Sequence, residues 1–256
     1  MADDSPGRRE ALELLSISDS VDNSLVVIQK HGFEALAVTT FVVRARRLVR
    51  AIFHLLDEQL DVEAAILGRA LMETAVTLMW LGTDLPKNVK RWRLDDARER
   101  LKWLEELGAL EKTGDEYAWP PWPERPMEEA ELRDLVASLE GKGVKGLPSF
   151  KDRCKTMSSH FYPTAYRQGS HGAVHPSPYA LEQFIDHADE LGAHILANGP
   201  RTRDKTYPDE TAALWLHLVL DVAAMTSNAF GWSREDIQPA LDSIAAGLHA
   251  RGAEDE

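Results

Sequence analysis

Between Ala64 and Leu81 the chain reads AAILGRALMETAVTLMWL. On a helical wheel this stretch is apolar on every side except at Arg69 and Glu73, which sit one turn apart. A helix that is hydrophobic all round is a buried one, and Arg and Glu are almost never fully buried unless paired. The sequence therefore predicts an interior helix, in a core that must satisfy one guanidinium and one carboxylate. The stretch approaches membrane-spanning length. Its two central charges and its lack of basic flanks favour the core of a soluble protein over a span, so no membrane contact is expected.

The charge balance narrows the function further. With 42 acidic against 29 basic side chains the formal net charge is −13, which argues against broad, non-specific binding to DNA or anionic membranes. A local basic groove remains open. The one cysteine, Cys154, forms no intramolecular disulfide and suits a reducing compartment. The opening residues MADDSPGRRE lack the apolar run of a signal peptide, so a cytoplasmic location is expected.

Nearly every segment has helical period, and no run alternates convincingly enough to be a strand. The reading is all-α: one domain over residues 1–256, a bundle of about seven or eight helices, frayed at 1–7 and 251–256. The expected helices are Arg8–Lys30, Phe33–Leu60, Ala64–Leu81, Lys87–Leu110, Met127–Glu140, a short one opened by Ser149 and Asp152, Ser177–Ala197, Pro208–Phe230 and a last one opened by Ser233 and Asp236. Gly82 and Pro86 close the third, and GKGVKG is the glycine stop after Glu140. The run YAWPPWPERP (117–126) is a loop because of its prolines.

Two helices are apolar on nearly all sides, Ala64–Leu81 and the one centred on AALWLHLVLDVAAM, and each carries a polar pair at a spacing of four. Arg69 shares a face with Glu73, and His217 with Asp221. A lone buried charge is expensive and persists when a neighbour neutralises it. The plain reading is two structural pairs that fix helix register. In the sharper one, both pairs line one ligand site: Glu73 is a desolvated catalytic carboxylate, Asp221 orients His217 as a general base, and Arg69 holds an anionic group.

The stretch SSHFYPTAYRQGSHGAVHPSPY (158–179) is the other candidate, since it gathers Tyr166, Arg167, Ser170, His171 and His175 within ten positions. Gly169 and Gly172 allow tight turns there, and loops on rigid scaffolds carry function. A helix corner with hydrogen-bonded histidines is the alternative. No metal site is expected, because His160, His171 and His175 match no standard zinc spacing. His187, Glu190 and His194 would share a solvent-facing helical side. On the second helix, RARRLVR places Arg44, Arg46, Arg47 and Arg50 together. Of these, Arg44, Arg47 and Arg50 are candidates for contact with nucleic-acid phosphates, with Asp57 and Glu58 following on the same face.

Two motifs carry a resemblance. GRALMETAVTLMWLG is similar to the Arg-x-x-x-Glu helix of a widespread bacterial family of unknown function whose members are helical bundles. YRQGSHGAVHPSP resembles the same family's Tyr…Ser…His-Pro-Ser element, through Tyr166, Ser170, His175, Pro176 and Ser177. The resemblance covers Ile52 to Ala197 and implies that Arg69, Glu73 and the Ser170–His175 loop form one cluster.

A second comparison is with the HEPN ribonucleases, helical bundles of toxin and defence systems that use an Arg, four to six residues and a His to cleave RNA without metal, usually as dimers. Here His171 follows Arg167 after three residues and His175 after seven, so the spacing departs from that pattern. Three functional classes follow. The first is a bundle protein whose Arg69, Glu73, Tyr166, Ser170, His175, His217 and Asp221 are structural or bind a small ligand. The second is a ribonuclease with His171 or His175 as acid/base and Arg167 or Arg69 stabilising phosphate charge, Glu73 being a further catalytic candidate, and the third is a metal-dependent bundle enzyme. Candidate partners are RNA, an anionic small molecule or a second copy of the chain, with no cofactor expected.

Overall fold

The computed structural model describes residues 6–22, 32–113, 125–156, 162, 185–189, 192–195, 206–225 and 242. The fold is all-α, as expected, with seven helices among the described residues: α1 (Pro6–Asp22), α2 (Gly32–Asp57), α3 (Asp61–Gly82), α4 (Leu85–Thr113), α5 (Arg125–Gly141), α6 (Phe150–Cys154) and α7 (Thr206–Met225). The departure is a two-stranded antiparallel ribbon, β1 (Ile185–Asp189) with β2 (Gly192–Ile195). Contacts group the chain into two compact units, Thr83–Ser149 and the remainder.

In the larger unit α3 packs against α2, α7 and α6, while α1 packs against α7 and α2. Leu71, Met72, Ala75, Val76, Leu78, Trp80 and Leu81 are buried along α3. The expectation of burial all round holds for this second half only. Ala65 and Ile66 are exposed, and Leu67, Gly68, Arg69 and Ala70 are half-buried. The charged pair thus falls at the boundary, where a guanidinium keeps partial access to water while its stem packs. Gly82 ends the helix under α7: a Cβ added there would meet Val222 Cγ1 at 3.0 Å.

The second central helix is α7, which buries Ala212, Ala213, Trp215, Leu216, Val219, Leu220, Val222 and Ala223. On α2, Phe41, Ala45 and Ile52 are buried and Leu48, Leu55 and Leu56 half-buried, whereas Arg47, Arg50, His54, Asp57 and Glu58 are exposed. Arg8 of α1 clamps the end of α2. Its two terminal nitrogens donate to the Asp57 carboxylate at 2.7 and 2.8 Å, and its guanidinium lies 4.9 Å from the Phe53 ring centre. That hydrogen bond holds the Asp57 carboxyl below its ordinary range.

The ribbon corrects the predicted Ser177–Ala197 helix over its described part. An interior Gly192 weakens a helix by about 1 kcal/mol, and apolar spacing alone does not separate a short helix from a short hairpin. His187 and His194 stand at facing register positions instead of on successive helical turns. Of the predicted last helix, only Asp242, which is helical, lies within the described residues.

In the smaller unit α4 and α5 pack as a pair around Ala97, Leu104 and Leu132, with Leu101, Leu135 and Val136 beside them. Ion pairs run along the seam: Arg98 with Glu140 at 2.5 Å, Arg133 with Glu105 at 3.0 Å, and Arg100 with Glu128. The Gly146 carbonyl accepts from Arg91 Nε and Nη2 at 3.1 and 2.9 Å, which ties the segment after α5 back to α4.

Two helix ends close by the same device. After α5 the Gly143 and Val144 amides donate to the Glu140 and Leu139 carbonyls, and Gly143 has φ +73°. This is the expected glycine stop. After α2 the Gln59 and Leu60 amides donate to Leu56 and Leu55 in the same pattern, but the left-handed residue is Gln59, at φ 63°. That conformation costs a non-glycine residue about 1–2 kcal/mol, and glycine's extra freedom in the unfolded chain offsets about 0.5–1 kcal/mol of the gain from replacing it. Gln59→Gly is therefore expected to stabilise the protein by about 0.5–1 kcal/mol, seen as a higher urea midpoint at unchanged slope. An unchanged or lowered midpoint would contradict the assignment.

Candidate functional site

The site is built from positions on α3 spaced by three and four, which place Val62, Ile66, Arg69, Glu73 and Thr77 on one side of the helix. Exposure along this row is uneven, with Val62 half-buried, Ile66 and the Glu73 side chain the most open and Thr77 buried. Ile66 is 39% exposed, the Arg69 side chain 19% and Thr77 7%. Arg69 Nε donates to Glu73 Oε1 at 3.1 Å, and the Glu73 side chain is itself 41% exposed. The pair is neither sealed in the core nor released into bulk water. No Cβ neighbour would crowd Gly68, where nothing lies within 4 Å, so the helix is open beside Arg69.

The buried end of the row is closed from another part of the chain. Thr77 Oγ1 donates to the Glu73 carbonyl at 2.7 Å, and Arg153 Nη1 of α6 donates to Thr77 Oγ1 at 2.6 Å. The Arg153 guanidinium lies 5.2 Å from the Phe150 ring centre, a cation–π contact within α6. Two guanidiniums, those of Arg69 and Arg153, therefore engage one face of α3, at Glu73 and at Thr77.

Cys154, next to Arg153, is buried. Burial pushes its thiol up to about 11, with Glu73's negative charge adding to the rise and Arg153 opposing it. The thiol is protonated at neutral pH and is therefore a poor nucleophile.

Beside this row, Arg44 Nε donates to Thr74 Oγ1 at 3.2 Å, and Thr74 Oγ1 donates to the Ala70 carbonyl at 2.7 Å. Arg44 thus belongs partly to the α2–α3 seam. Arg47 and Arg50 are exposed, whereas Arg46 is buried. His217 and Asp221 are half-buried on α7, a helix packed directly on α3. The predicted residues Tyr166, Arg167, Ser170, His171 and His175 lie outside the described residues, as does His160.

At the family level, residues 35–193 match a family of unknown function, DUF5677, a match over more than half of the chain. The chain belongs to this family. No curated protein and no solved structure matches it. The DUF5677 segment holds the whole α3 row and Arg153 of α6, and it spans both GRALMETAVTLMWLG and YRQGSHGAVHPSP. All of α1 and all of α7 lie outside it.

Sequence reasoning passed over Arg153 and Thr77. The signal for Thr77 was present, since it continues the Arg69–Glu73 spacing by one more turn. Arg153 had none, because its partner is 76 positions away.

Two outcomes check this geometry. Arg153→Ala leaves Thr77 without its donor and is expected to cost about 1–2 kcal/mol, read by urea unfolding, whereas a change within a few tenths would contradict the contact. The second concerns pH. A thiol raised from 9.0 to about 11 on folding keeps its proton in the native state while the unfolded chain releases it. Stability is full below pH 9 and falls as pH climbs toward 11. Cys154→Ala should flatten that alkaline slope, and an identical slope in the variant would refute the assignment.

Proposed function

We propose that this protein binds a small amphiphilic anion on the α3 row, with Arg69 contacting a carboxylate or phosphate and Ile66 supporting an apolar body. The observation that carries the reading is the make-up of one helix face, which sets an exposed isoleucine beside a half-buried guanidinium paired with a more open carboxylate, and ends at a buried threonine bonded to a second guanidinium. A binding site for a small molecule needs an apolar surface with a few placed polar groups. A partly desolvated arginine attracts an anion more strongly than one in bulk water.

Glu73 occupies Arg69 when no ligand is bound, and its own exposure lets it swing into water when an anion takes its place. Such exchange favours an anion that also buries apolar surface, because the lost Glu73 bond must be offset. No covalent step is required of any residue in the row, and the protonated Cys154 thiol supports binding over nucleophilic chemistry.

The test is thermal unfolding of the full chain with hexanoate and, separately, inorganic phosphate. A ligand at one hundred times its dissociation constant stabilises by about 2.7 kcal/mol, or about 5 °C or more for a chain of this size. Hexanoate is expected to raise the midpoint and phosphate to do so less. Arg69→Leu should abolish the hexanoate shift while remaining folded. No shift with either probe, or an equal shift in Arg69→Leu, would make the row a structural pairing and overturn the reading.

A further inference from the structure

The α2 helix has an outer side that the α3 row does not use. From Ala35 to Leu56 it contains four arginines, one histidine and no acidic residue, in a chain whose net charge is −13. Arg46 is buried, and Arg44, Arg47, Arg50 and His54 are exposed. Their spacings of three, three and four keep them on one side of the helix, over about 15 Å at 1.5 Å rise per residue.

Two structural facts give this stripe more weight than its composition. The first acid beyond it, Asp57, has Arg8 as its principal partner through a two-point bond, with His54 a weaker one. Arg44 is anchored through Nε to Thr74, a bond that does not use its two terminal nitrogens. Anchoring lowers the entropy lost when such a side chain meets a partner. Glu58 after α2 and Glu63 on α3 are exposed, and Glu73 bonds Arg69.

We infer that the outer side of α2 is a docking surface for a single nucleic-acid strand, bound through its phosphates by Arg44, Arg47 and Arg50. The charge complementarity is direct. Arginine's planar fork matches phosphate oxygens, and the run contains arginine and no lysine. The stripe is one side chain wide, so it follows one backbone and not both sides of a groove. Its length corresponds to about four or five nucleotides at ~3.4 Å per step. Contact with phosphates alone carries no base readout, so RNA and DNA bind alike. This surface is separate from the α3 row, and either assignment stands without the other.

The experiment is fluorescence anisotropy of the full chain with labelled twelve-nucleotide oligouridylate and oligothymidylate between 50 and 200 mM NaCl. Three phosphate contacts predict a log–log salt slope of about −2, with the two strands bound within about twofold of each other, as backbone-only contact requires. Arg47→Glu, at an exposed position, is expected to weaken both about tenfold, an order-of-magnitude expectation for a charge reversal at a phosphate contact. The triple variant Arg44→Gln, Arg47→Gln, Arg50→Gln should lose binding while keeping the thermal midpoint of the parent. Arg133→Gln, in the other unit, should change nothing. Absence of binding at 50 mM salt, undiminished binding by the folded triple variant, or equal displacement by polyglutamate would overturn the assignment, the last by pointing to an acidic protein instead.

Discussion

A helix that is apolar on almost every side has to be covered on almost every side, and α3 sets that requirement for the larger unit. Helices α2 and α7 pack on it and α6 reaches it at Thr77, and Leu71, Leu78 and Leu81 in its second half are fully buried. Where that cover ends, the charged pair begins. A guanidinium and a carboxylate at the edge of a packed region satisfy each other and still reach water, so neither carries the full desolvation cost of an interior ion pair. The position of Arg69 and Glu73 is the physical reason one face of α3 passes from greasy to charged to sealed within four turns.

Much of this was legible in local pattern. Apolar spacing located α2, α3 and α7 to within a few residues, and the Gly143 stop was read from glycine and lysine alone. Hydropathy also marked α3 as the organising helix. It could not say which half would be covered, because burial depends on where neighbouring helices end, and that is a property of the whole packing. Apolar spacing does not separate a short helix from a short hairpin, so pattern alone does not reveal the ribbon at Ile185–Ile195.

The candidate site divides in the same way. Arg69–Glu73 is a contact between neighbours on one helix, and such contacts are written into spacing. Thr77–Arg153 and Arg44–Thr74 join distant segments, and no periodicity encodes them. The basic run was visible from the start, but not its sorting. Arg46 goes inward, Arg44 is tethered to α3, and Asp57, which looked like the neutralising neighbour of Arg47 and Arg50, turns out to belong to Arg8. One buried arginine among exposed ones cannot be distinguished by composition.

Membership in DUF5677 ties the α3 row and α6 into one family segment. The most direct test is a double-mutant cycle on the row's central contact, with Arg69→Met, Glu73→Gln and the pair, each measured by urea unfolding. A part-buried pair predicts a coupling energy of about 1 kcal/mol or more, whereas exposed pairs at this spacing give about 0.3–0.5 kcal/mol. Coupling at or below that surface value would mean that the two side chains sit in bulk solvent, and the part-buried pair at the centre of the α3 row would not exist.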